Sequence, residues 1–222
     1  GPVNLVALNA SWPGFWGLED GPNGLTVGAM TSLAEMARHP LVRDYLPPLA
    51  KFLNLVAGPG VRALGTVGGN LIVGGDLSAL AMALDVRVDV VGHAGVRILP
   101  LSQWLRERTS EDLLRGFTIP DCRGGRMSLE KLGYRARVSP TRATLACVHD
   151  GYRLRLAVGG EGGLLRLAAT EAFLNGWAAL APDDFGAVLD CELVDHGWQN
   201  THLRTALRRM TTGLLSEVAL GT

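Results

Sequence analysis

The chain has 222 residues, 47% of them hydrophobic, enough to bury a core in one large domain or two small ones. Its 21 Lys and Arg residues balance 21 Asp and Glu residues, which leaves no electrostatic case for nucleic acid or an anionic membrane surface as partner. Three widely spaced cysteines, Cys122, Cys147 and Cys191, suggest neither a disulfide framework nor structural zinc, and a reducing cytoplasm suits them.

The first 18 residues carry no charged side chain, yet without a basic leader they form neither a signal peptide nor a membrane span. Gly1-Pro2 has the form of a protease-cleavage remnant. Val3 to Ala10 alternates weakly, as a strand does, and runs into the Trp12-Pro13-Gly14 turn. Trp12, Phe15 and Trp16 then cluster, either plugging a core edge or lining a substrate cleft. Gly21-Pro22-Asn23-Gly24 is turn chemistry, with a short strand from Leu25 to Ala29 after it. Thr31 is expected to cap a helix that Pro40 closes, and a second helix is expected from Leu46 to Val56, broken by Gly58-Pro59-Gly60.

The stretch from Val61 to Leu71 follows. Gly65, Gly68 and Gly69 stand beside Thr66 and Asn70, the composition of a backbone that turns sharply and offers donors to an anion. Asp76 is expected to cap an apolar helix reaching Leu84. Val86 to Val91 and Val96 to Leu99 read as a hairpin, Leu101 to Leu105 as a helical turn, and Leu113 to Ile119 as a strand ended by Pro120. Gly124 and Gly125 mark a hinge. Beyond it come strands at Met127 to Tyr134, Arg142 to His149, Tyr152 to Val158 and Leu164 to Leu167, with His149-Asp150-Gly151 as a turn. Helices are expected at Thr170 to Ala179, Asp183 to Asp190 and Thr201 to Glu217. Separate runs of strands and helices predict an α+β architecture with mainly antiparallel sheets.

These motifs, in this order, resemble the FAD-binding (medium) subunits of the molybdenum hydroxylase family, of carbon monoxide and xanthine dehydrogenase type. Val61-Arg62 with Gly65-Thr66-Val67-Gly68-Gly69-Asn70 is similar to the family's loop signature. Asp76-Leu77 with Ala83-Leu84-Asp85, Thr118-Ile119-Pro120, Lys131 with Arg135, and Glu171 with Leu174 and Gly176 resemble later segments. The resemblance implies the second lobe of a vanillyl-oxidase/PCMH-type FAD-binding domain over residues 1–122. It further implies a C-terminal α+β domain over residues 123–222, with a three-stranded sheet, like that of carbon monoxide dehydrogenase flavoproteins.

The implied cofactor is FAD, bound by Thr66, Val67, Gly68, Gly69, Asn70, Asp76 and Lys131, with electron transfer as the activity and iron-sulfur and molybdenum subunits as partners. Three departures stand out. The family's first lobe has no counterpart in the matching residues, Ala63 replaces an asparagine, and the run from Asn70 to Asp76 is short. They give the alternative of an FAD-free cyclase or isomerase on an apolar small molecule, of the natural-product kind, with Trp12, Phe15 and Trp16 lining its cleft. A structural or assembly subunit, or a homo-oligomer, is a further reading. His196 and His202 lack a third ligand, so no metal site is expected, and no catalytic residue is assigned.

Overall fold

The computed structural model describes residues 7–9, 11–93, 95–135, 139–176 and 185–220. Most of the expected strand at Val3 to Ala10 lies outside these, as do the end of the helix expected to reach Ala179 and the start of the one at Asp183; residues 7–9 are not in a strand.

Two antiparallel sheets organise the chain. The first has five strands, β1 (Leu18–Gly21), β2 (Gly24–Gly28), β3 (Arg87–Gly92), β4 (Gly95–Pro100) and β5 (Leu113–Ile119), in the order β1-β2-β5-β3-β4. The β1–β2 hairpin closes at Gly21 opposite Gly24. Gly24 takes φ +114° with its Cα against the Ile119 and Asp121 backbone, a place no side chain could occupy. Six short helices lie between β2 and β3: α1 (Leu33–Arg38), α2 (Pro40–Tyr45), α3 (Leu49–Leu53), α4 (Pro59–Leu64), α5 (Val67–Ile72) and α6 (Ser78–Ala83). Helix α7 (Leu101–Glu107) joins β4 to β5.

The second sheet is a meander of β6 (Arg126–Gly133), β7 (Thr141–His149), β8 (Leu154–Gly160) and β9 (Leu165–Arg166), so it has four strands where three were implied. The fourth pairs at only two positions. Helices α8 (Ala168–Gly176), α9 (Gly186–Asp195) and α10 (Thr201–Leu220) follow. The alternation in β7 shows how this sheet joins two cores. Ala143, Leu145 and Cys147 face the core shared with α9 and α10, while Ala146 and Val148 face the core of the first sheet. Successive side chains point to opposite faces, so a strand buried on both sides reads as a continuous apolar run. Helix α6, Ser-Ala-Leu-Ala-Met-Ala, is buried at every position and packs against β7 and β8, as expected of a helix that is apolar all round.

Several local expectations are corrected. The first helix is capped by Ser32, not Thr31. Ser32 and Glu35 form a reciprocal capping box, whereas the buried Thr31 hydroxyl bonds Gly17 N and O. The helices before Pro40 and Pro59 do end ahead of them, as expected, but the prolines also begin new helices. Each occupies the first turn of a helix, α2 and α4, where its missing N–H costs nothing. The stretch from Val61 to Leu71 is therefore two short helices joined at Gly65-Thr66, not a loop. Asp76 caps nothing; α6 begins after Leu77.

Candidate functional site

The Gly65-to-Asn70 segment sits where the end of β2 meets α5. Thr66 is extended and caps α5, its Oγ1 accepting from Gly69 N at 3.1 Å. An isolated antiparallel bridge pairs Thr66 with Ser32. It is framed by Leu33 N to Gly65 O and Val67 N to Thr31 O, both 2.9 Å. Gly68 N donates to Ala29 O at 2.9 Å and Asn70 N to Thr66 O at 3.0 Å. Four of the N–H groups expected to face an anion are thus engaged inside the fold.

The two adjacent glycines differ. A Cβ on Gly68 would lie 2.6 Å from Ala29 Cβ and 2.8 Å from Ala29 O, so this glycine lets α5 lie against the turn that follows β2. Gly69 is exposed, and a Cβ there would meet only Thr66 Oγ1. The donors left over are the Thr66 N–H, the Thr66 hydroxyl proton and the Asn70 amide, none of which makes a donated hydrogen bond among the described residues. Asn70 Oδ1 is occupied, accepting from Leu77 N at 2.9 Å to fix the return toward α6. These donors beside an open glycine suit an oxyanion such as a phosphate.

Asp76 and Lys131 form the second cluster. Lys131 Nζ lies 3.0 Å from Asp76 Oδ2, with the side chains 5% and 10% exposed, and the Thr141 hydroxyl bonds Asp76 Oδ1. Lys131 is therefore not a solvated strand lysine. It ties β6 to the return between α5 and α6, 55 residues away in sequence.

The aromatic trio divides. Phe15 is buried and Trp12 packs edge-on against it at 5.8 Å. Trp16 is 56% exposed, its indole N–H donating to Glu35 beside a shallow groove of about 430 Å³ that also holds Arg38 and His39. Burial pushes the Glu35 carboxyl up, but hydrogen bonds from the Ser32 backbone and hydroxyl and from Trp16 outweigh it and hold the group below its ordinary range. Sequence reasoning missed this carboxylate, although Ser32-x-x-Glu35 is a capping-box signature.

Comparison with known proteins places the segment. Residues 13–122 match the family described as the FAD binding domain in molybdopterin dehydrogenase, and this part of the chain belongs to that family. The carbon monoxide dehydrogenase medium chain of Hydrogenophaga pseudoflava is 32% identical over 102 residues, 45% of this chain and 35% of that protein. The nicotinate dehydrogenase FAD-subunit of Eubacterium barkeri is 32% identical over 85 residues, 37% of this chain and 29% of that one. These alignments span about a third of each relative's length.

Among solved structures, carbon monoxide dehydrogenase from H. pseudoflava superposes with a TM-score of 0.80 at 24% identity, over 94% of this chain and 79% of that one. Quinoline 2-oxidoreductase from Pseudomonas putida 86 gives 0.76 at 22% identity over the same shares. These likenesses show the fold, extending it beyond residue 122 into the second sheet and its helices. Among the described residues no helix is long and apolar enough to cross a membrane.

Proposed function

We propose that the chain is the FAD-carrying part of a molybdenum hydroxylase-type enzyme, passing electrons through the flavin. The single observation that carries this reading is the set of unoccupied donors at Thr66 and Asn70 beside the open Gly69, inside a segment of the FAD-binding family. Thr66 and Asn70 would hold the cofactor's pyrophosphate by hydrogen bonds, and Gly69 admits it to the backbone. Gly68 and Val67 act indirectly, by seating α5 against the turn that follows β2. Lys131 and Asp76 tie β6 to the return between α5 and α6, beside the segment, so their part is to keep its shape. The bound flavin supplies the redox chemistry, and the chain supplies position and surroundings.

The partners in this reading are an iron-sulfur and a molybdenum subunit. The names of the relatives support it, since one is a medium chain and another an FAD-subunit. The FAD-free cyclase reading has less to stand on, because Phe15 belongs to the core and the three aromatics do not line one cleft. The test is the visible spectrum and thermal melt of the purified chain titrated with FAD. Flavin bands retained through gel filtration and a raised melting temperature are expected. A colourless chain whose melt FAD leaves unmoved would sink the proposal. Co-purification with iron-sulfur and molybdenum subunits checks the partners separately.

A further inference from the structure

A groove of about 750 Å³ runs along the seam between α7 and the β8–β9 turn, and the flavin reading leaves it unassigned. Its size is that of small-molecule sites. One wall is apolar: Ile72 and Val73, at the end of α5, are 41% and 78% exposed, and Leu105 of α7 lies beside them. Arg106 and Arg108, from the end of α7, supply positive charge, and among the described residues no Asp or Glu lines the groove.

The two arginines are differently held. Arg108 donates to Ile72 O at 2.9 Å, and its guanidinium lies 5.5 Å from the centroid of the Trp104 ring, which fixes it without a carboxylate partner. Arg106 makes no ion pair or hydrogen bond among the described residues. By contrast Arg166, also on the lining, is ion-paired to Asp85 and Glu171. Two guanidinium groups without acidic partners among the described residues, next to exposed aliphatic side chains, form a surface with one apolar half and one oxyanion-binding half. A guanidinium matches the planar fork of a carboxylate and also binds sulfonate and phosphate.

We propose that this groove binds a flat apolar molecule carrying one oxyanion, with its ring on Ile72 and Val73 and its anion held by Arg106 and Arg108. The site stands independently of the flavin reading, since none of the cofactor-binding residues proposed above lines it.

Calorimetric titration of the full chain without FAD tests it, using 2-naphthoate, 2-naphthyl phosphate and the neutral 2-naphthalenemethanol as probes. At least one of the two anions is expected to bind about tenfold or more tightly than the alcohol, the scale of a charge-assisted hydrogen bond. Which anion wins separates a carboxylate ligand from a phosphate one. Arg106→Ala, which removes no side-chain hydrogen bond or ion pair among the described residues, is expected to remove the preference with the melting temperature unchanged, and Arg106→Lys to restore part of it. Val73→Ser is expected to weaken all three probes alike. Equal binding of anions and alcohol, or unchanged anion binding in Arg106→Ala, would overturn the proposal.

Discussion

The two ends of the stretch from Thr66 to Asp76 treat polar groups in opposite ways. At Thr66 and Asn70 donors are left without acceptors among the described residues, beside an exposed glycine. At Asp76 the carboxylate is closed off by Lys131 and Thr141, with under a tenth of the lysine exposed. Residues that read as one cofactor-binding motif are thus divided between donors left open to a ligand and a clasp that ties the second sheet to the return between α5 and α6. The lesson is that a motif's residues can serve one site while only some of them touch what binds there.

Breaking the clasp is the largest expected effect. Lys131→Met leaves Asp76 buried without its cation and is expected to cost about 3–5 kcal/mol, measured by denaturant unfolding. The double change Asp76→Asn with Lys131→Met removes both charges and is expected to cost less than the single one. If the single variant unfolds at the wild-type midpoint, the pair is not a clasp.

The adjacent glycines sharpen the division. Gly68→Val drives a side chain into Ala29 and is expected to lose about 1–3 kcal/mol. Gly69→Ala, in an exposed helical position where the new Cβ would meet only the Thr66 Oγ1 at 3.0 Å, is expected to cost less than Gly68→Val. Chemical denaturation of the two variants side by side would refute the assignment if their order were reversed.

Smaller effects bear on the Ser32 cap beside the site. Ser32→Ala is expected to cost about 1 kcal/mol. Glu35 has its carboxyl held low in the folded state, so its contribution is present above the ordinary carboxylate range and is lost as the pH falls through the depressed value. Glu35→Gln should therefore narrow the stability difference between neutral and acidic pH, as read from melts across that range.

The cysteines give the mildest test. Burial pushes Cys147 up to about 12 and Cys122 to about 11, while Cys191 is exposed. A thiol reagent at mildly alkaline pH should label one cysteine quickly in the native chain and all three only after unfolding.

Much of the architecture was legible because it is written locally. The strand at Leu113 to Ile119 and the hairpin around Gly92 and Gly95 carry alternation and turn residues in the sequence itself. Pro40 and Pro59 were legible as helix ends but not as helix starts, because packing decides whether the chain turns helical again after a proline. The roles of Gly68 and Gly69 could not be told apart, since the difference lies in Ala29, some forty residues away in the chain and just past the end of β2. Likewise Asp76 reads as a helix cap until Lys131 is brought to it across 55 residues. The family's order of motifs pointed to the segment, but the division of labour within it needed tertiary contacts.

The central claim is that the free donors at Thr66 and Asn70 hold FAD. Asn70→Asp tests it most directly, because it keeps the Oδ1 acceptor for Leu77 N while replacing the free amide donor with negative charge. Flavin fluorescence titration of both proteins is the measurement. FAD affinity should fall about tenfold or more with the melting temperature of the unliganded chain unchanged. Equal FAD affinity in the two proteins would contradict the account.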